Sequence, residues 1–173
     1  MKPDHTRKIR SPSPEATADI AAQLGASLVA GDVVLISGPV GAGKSHFARA
    51  LIQTRLASLG RFEDVPSPTF TLVQTYDLKE VELWHADLYR LSHPDDILEL
   101  GLDQAFEDAI CLIEWPERLG PLIPEGALHL SLTPADDPEA RDLVFASKAA
   151  RWCVCVAGLS AGSTGKEMRH VPR

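Results

Sequence analysis

The residues best equipped for chemistry stand in one run, Gly38-Pro39-Val40-Gly41-Ala42-Gly43-Lys44-Ser45, which satisfies the spacing G-x-x-x-x-G-K-[S/T]. Gly38, Gly41 and Gly43 let the backbone wrap closely and turn its N–H groups inward, toward a di- or triphosphate. A helix starting near Lys44 adds unsatisfied N–H groups and the positive end of its dipole. Lys44 is then the cation for the β- and γ-phosphates, and the Ser45 hydroxyl a direct Mg²⁺ ligand. Ala42 within the loop and His46 just after it complete the candidate nucleotide contacts. A plain glycine turn would carry the same residues, but the context is the one the motif requires, with an apolar strand before and a helix after.

Such a loop needs an acid on the metal side, and two acids close apolar runs: Asp87 after VELWHA and Glu114 after AICLI. A carboxylate at the end of a buried strand needs a cation or hydrogen-bond donors, which favours function for Glu114. Asp87 could equally pair with Arg90 or cap the following segment. Thr69 lies in SPT, stiffened by Pro66 and Pro68, and two readings stand: a hydroxyl for the metal or γ-phosphate, or a threonine that starts a strand. His85 could carry a proton, although a sheet histidine satisfied by its neighbours is the commoner arrangement.

The elements that must position these groups follow from periodicity. Ser13 as N-cap and Pro14 at the first helical position open an amphipathic helix that stops before Gly31. Asp32 to Ser37 is a doubly covered strand leading into the glycine loop, and Ser45 to Leu59 is helical. Phe70 to Tyr76 and Glu80 to Asp87 form an antiparallel hairpin, DDILELGLDQAFED is helical with a break at Gly101, and Ala109 to Trp115 is a second central strand. Late strands are expected at Ala127 to Thr133, Leu143 to Ala146 and Trp152 to Val156. The organisation is a flexible segment at 1–13, a nucleotide-binding domain at 14–157 and a disordered tail at 158–173. The fold class is α/β, a mixed β-sheet flanked by helices.

Composition narrows the partners. Of 173 residues, 17 are Lys or Arg and 24 are Asp or Glu, a net charge of -7 that is the wrong sign for gripping a nucleic-acid backbone unaided. The three cysteines show neither zinc spacing nor a CxxC pair, and read as reduced thiols of a cytosolic protein. No apolar segment follows the basic N-terminus and no run approaches the roughly 18 apolar residues of a membrane span, so a cytoplasmic location without membrane attachment is expected.

Four strings, GAGKSHFAR from Gly41, SPTFTLVQTY from Ser67, HADLYRL from His85 and IEWPERLG from Ile113, together resemble the TsaE family over roughly Pro14 to Thr133. The resemblance implies a P-loop fold using ATP and Mg²⁺, in bacterial synthesis of threonylcarbamoyladenosine next to the tRNA anticodon, beside the TsaB and TsaD proteins. It implies an ATPase, slow alone and dependent on partners, that meets tRNA only through that assembly. It carries phosphate binding to Lys44, magnesium to Ser45 and Glu114, a catalytic or metal-supporting acid to Asp87 and a switch-loop role to Thr69, and sets Trp115 beside the metal acid. Pro39, Val40, Ser45 and His46 depart from the usual residues of such loops, and the chain after Leu132 follows the pattern poorly. The rival reading is a small-molecule kinase; between Arg90 and Arg141 only Arg118 is available to build the basic lid such an enzyme uses.

Overall fold

The computed structural model describes residues 5–162. A seven-stranded sheet runs through it, made of β1 (His5–Ser11), β2 (Val33–Ser37), β3 (Val73–Asp77), β4 (Glu82–Asp87), β5 (Ile110–Glu114), β6 (Leu128–Pro134) and β7 (Arg141–Ser147), in the order β1-β7-β6-β2-β5-β4-β3. The helices are α1 (Pro14–Ser27), α2 (Lys44–Ala57), α3 (Asp95–Glu99), α4 (Leu102–Asp108) and α5 (Arg151–Ala157), with 3₁₀ turns over Pro116–Leu122. β2 is central and runs parallel to both β5 and β6, while β4 is parallel to β5; the hairpin partner β3 and the edge pair β7 and β1 are antiparallel.

Alternation along β2 divides the core. Val34 and Ile36 pack with Ile20, Leu24, Phe47, Leu51 and Trp152 on the side of α1, α2 and α5, whereas Val33 and Leu35 face Ile97, Leu102 and Leu119. A central parallel strand covered on both faces has no polar side, which is why DVVLIS reads as a continuous apolar run. α1 begins as its sequence dictates: the Ser13 side chain accepts a hydrogen bond from the Ala16 N–H at 3.1 Å, with Pro14 at the first helical position. Gly25 lets α1 settle on α2, because a Cβ there would come within 2.9 Å of Leu51 Cγ. The break expected at Gly101 separates α3 from α4, and the glycine has φ 80°.

Three regions toward the ends of the chain differ from the expectation. Residues 5–11 of the segment read as flexible form β1, paired along its whole length with β7 from His5↔Ser147 to Ser11↔Arg141. Its pattern HTRKIRS carries Ile9 as its only large apolar residue, since an edge strand needs little buried surface and favours charge, so periodicity could not reveal it. Residues 1–4 lie outside the described residues.

Trp152 to Val156, expected as a strand, is helix α5. Trp152 and Val156, one helical turn apart, are buried while the intervening Val154 is 80% exposed, so a window this short matched both periods. Arg151 Nε donates to Asp32 Oδ1 at 2.8 Å and Trp152 Nε1 to the Gly126 carbonyl at 2.8 Å, which pins α5 to the sheet. The first residues assigned to a tail also belong to the domain. Leu159 is 2% exposed in the core against α1, its carbonyl accepts from Arg7, and Gln23 Nε2 donates to the Ser160 carbonyl at 2.8 Å. Residues 163–173 of that assignment lie outside the described residues. Among the described residues no helix is long and apolar enough to cross a membrane.

Candidate functional site

β2, β5 and β4 are neighbours whose C-terminal ends point the same way, so the glycine loop, Glu114 and Asp87 arrive at one edge of the sheet. Asp87 and Glu114 are register partners on adjacent parallel strands, and both lie on the α2 side together with His85. Two neighbouring carboxylates, 5% and 1% exposed, form a locus that attracts a cation.

The loop turns as its glycines require. Gly38 has φ 149°, and a Cβ on it would collide with the Leu132 carbonyl oxygen; Gly43, at φ 101°, is the residue from which α2 starts. Ala42 turns its methyl into the core and its N–H donates to the Pro39 carbonyl at 3.1 Å, so this amide is engaged within the loop. From β7, Arg141 Nε donates to the Ala42 carbonyl at 2.9 Å and braces the loop from behind.

Lys44 folds back over the loop. Its Nζ donates to the carbonyls of Gly38 at 2.7 Å and Pro39 at 2.9 Å, and lies 4.2 Å from the centre of the Trp115 ring. Burial holds the ammonium below the ordinary lysine range, while the charges of Glu114, Asp87 and Glu117 pull it back up. Next on the helix, Ser45 Oγ donates to Glu114 Oε1 at 2.8 Å. The other oxygen, Oε2, lies 2.6 Å from His85 Nε2. His85 is thus satisfied at one nitrogen only, since the buried Nδ1 has no hydrogen-bond partner among the described residues.

Asp87 does not pair with Arg90, whose guanidinium instead sits 4.3 Å over the Phe70 ring. Asp87 Oδ1 accepts the Tyr89 N–H at 3.0 Å and Oδ2 accepts the Thr69 hydroxyl at 3.3 Å. Thr69 stands in a turn that precedes β3, closed by the Leu72 N–H onto the Pro68 carbonyl at 2.7 Å. β3 therefore begins at Val73, and the expected strand at Phe70 to Leu72 is a turn in which Leu72 has φ 68°. His46 Nε2 is 2.8 Å from the Pro14 carbonyl, tying the first turn of α2 to the start of α1.

A cleft of about 420 Å³ is lined by Gly41, Gly43, Lys44, Ser45, His46, Thr69, Asp87 and Glu114, with Val40, Tyr89 and Trp115 as its apolar wall. Gly38 and Ala42 support the loop from outside that lining. Two contributors escaped the sequence reading. Tyr89 stacks obliquely on Trp115, with ring centres 4.9 Å apart, and Arg141 reaches the loop from a strand a hundred residues downstream. HADLYRL contains the tyrosine, but neither contact has a local signal. Trp115 adopts a left-handed conformation at φ 58°, costly for a bulky residue, and this turns its ring over Lys44 directly after Glu114.

The central parallel strand, the glycine loop at its C-terminal end and the helix starting at Lys44 define an α/β protein of the P-loop class. The family model described as "Threonylcarbamoyl adenosine biosynthesis protein TsaE" matches residues 11–143. The tRNA threonylcarbamoyladenosine biosynthesis protein TsaE of Rickettsia bellii is 38% identical over 125 residues, covering 72% of this chain and 85% of the relative. Its namesake in Bacillus subtilis is 34% identical over 146 residues, covering 84% and 88%. The crystal structure of YdiB from Bacillus subtilis superposes with a TM-score of 0.72 at 28% identity, over 88% of this chain and 93% of that one. The chain belongs to the TsaE family, whose members are proteins of tRNA threonylcarbamoyladenosine biosynthesis.

Proposed function

We propose that this chain is the ATP-binding and ATP-hydrolysing component of tRNA threonylcarbamoyladenosine synthesis, that it acts in the cytoplasm through the TsaB and TsaD proteins, and that it meets tRNA only through them. The observation that carries the reading is the Ser45–Glu114 contact of 2.8 Å beside Lys44, inside a cleft walled by the glycine loop. Hydroxyl and carboxylate are hard oxygen donors of the kind magnesium takes, and it needs only one or two from protein when phosphates supply others. A magnesium ion held by Ser45 and Glu114 would supply positive charge against the phosphates.

The chain's own residues supply the rest. Loop N–H groups bind phosphate oxygens, and Lys44 exchanges its contacts with the Gly38 and Pro39 carbonyls for the phosphates. Those contacts cost little to give up, because an ammonium already partly stripped of water gains a stronger acceptor. Ser45 and Glu114 hold the metal side. Asp87, fixed by Tyr89 N–H and the Thr69 hydroxyl, orients water and accepts its proton. Thr69, in a turn with one contact to this acid, links the cleft to the exposed Phe70 surface where a partner can sense nucleotide. Trp115 and Tyr89 exclude bulk water from Lys44. The chain's acidic balance leaves the tRNA contact to the partners.

The test is ATP turnover by the isolated chain and with TsaB and TsaD, together with tRNA binding by the chain alone. Slow turnover that rises with the partners and weak tRNA binding are expected. Tight tRNA binding at ordinary salt would overturn the indirect contact, and transfer of the γ-phosphate to a metabolite instead of water would install the kinase reading.

A further inference from the structure

Glu114 is 1% exposed, and its carboxylate has only two hydrogen-bond partners among the described residues, one at each oxygen. Ser45 takes Oε1, and in the proposed function that hydroxyl is drawn to magnesium. Once it is, His85 is the remaining side chain fixing the carboxylate. His85 is itself 1% exposed and lies on β4, where its register partner Leu112 is two residues from Glu114 on the same face of β5. It is held by the sheet and not by a loop.

The two imidazole nitrogens are unequal. Nε2 is 2.6 Å from Glu114 Oε2, while Nδ1 is buried without a partner. A proton on Nδ1 would be an orphaned buried donor, whereas an unshared lone pair there is the smaller penalty. The arrangement that satisfies the pair places a proton on Nε2, donated to Oε2. The carboxylate is then anchored at Oε2, and Oε1 stays aimed at Ser45.

We infer that His85 is a positioning residue that donates from Nε2 to Glu114 Oε2 and so presents Oε1 to the magnesium side of the cleft. The inference rests on the cleft being a magnesium-nucleotide site. Groups that orient a metal's ligands typically contribute about 10- to 100-fold in affinity. The sequence allowed a proton carrier or a satisfied sheet histidine; the geometry makes it a donor that serves the acid.

The experiment measures ADP binding through tryptophan fluorescence, with EDTA and across a Mg²⁺ titration, in the full chain. His85→Leu removes the donor at similar volume; His85→Gln carries an amide that reaches about as far as Nε2, and His85→Asn falls short. The inference expects the Mg²⁺ half-saturation to rise about tenfold or more in His85→Leu. ADP affinity in EDTA should be unchanged, and His85→Gln should return to within about threefold of the unaltered chain. Should His85→Leu fail to fold, His85→Asn against His85→Gln makes the same comparison. Unaltered Mg²⁺ dependence in His85→Leu and His85→Asn, or impairment of His85→Gln equal to theirs, overturns the inference. Absence of ADP binding in the unaltered chain instead overturns the proposed function, so the two failures are told apart.

Discussion

Replacing Glu114 by Gln separates the metal role from the structural one. Glu114 accepts from Ser45 at 2.8 Å and from His85 at 2.6 Å. Hydrogen bonds to a charged acceptor are worth about 1.5–3 kcal/mol and neutral ones about 0.5–1.5, so two bonds lose roughly 2–3 kcal/mol together. The amide can still accept from His85 and donate to the Ser45 oxygen, so neither neighbour is orphaned. Against that loss, a carboxylate only 1% exposed no longer has to be kept from water, a penalty of several kcal/mol. The two nearly cancel, and the melting temperature should move by no more than about 4 °C. Magnesium sees no cancellation: a unit charge at about 4 Å with an effective dielectric near 20 is worth about 4 kcal/mol per charge, so the Mg²⁺ half-saturation for nucleotide binding should rise about 100-fold or more. Thermal melting and a Mg²⁺ titration of ADP binding measure both. An unaltered Mg²⁺ dependence would remove Glu114 from the metal side, and a fall in melting temperature beyond about 10 °C would make it a structural group.

Asp87→Asn should lower ATP turnover at least tenfold while shifting Mg²⁺ half-saturation less than Glu114→Gln does, because Asp87 is held by Tyr89 and Thr69 and not by Ser45; steady-state kinetics across Mg²⁺ concentrations measure this. Leu159→Ala should cost about 2–4 kcal/mol and lower the melting temperature by roughly 5–15 °C, since Leu159 is buried against α1; a chain ended after Gly162 keeps that contact and supplies the comparison. The Cys111 thiol, pushed up to about 12 by burial and then by Asp108, should resist thiol reagents in the native protein while exposed Cys153 reacts. Below pH 9 that thiol is protonated in both states; between about 9 and 12 the unfolded chain loses the proton and the native one keeps it. Stability should therefore fall as pH rises through that window, with a shallower fall in Cys111→Ala, measured by urea unfolding.

What the sequence revealed was the local and the doubly covered. The glycine loop, the Ser13 cap, the apolar runs of β2 and β5 and the break at Gly101 each depend on residues a few positions apart, and each stands where expected. Asp87 and Glu114 were legible as acids ending apolar strands, but their pairing in register depends on β4 lying beside β5. β1 was hidden because an edge strand is charged, and α5 because a window so short fits two periods. Leu159 stands in a polar stretch and is buried through a single side chain, too little for periodicity to register. The Arg141 brace, the Tyr89 stack and the His85–Glu114 contact are made across strands, where spacing in the chain carries no information.

Whether the glycine-loop cleft binds and turns over magnesium-ATP is decided by comparing ATP affinity and hydrolysis in the unaltered chain and in Lys44→Ala. Lys44 is 6% exposed, and the two N–H groups it now donates to carbonyls are the donors to be handed to phosphate, each bond worth about 1.5–3 kcal/mol. Magnesium-dependent ATP binding is expected in the unaltered chain, with a loss of about 100-fold or more in affinity or turnover in the variant. Equal affinity and equal hydrolysis in the two proteins would contradict it.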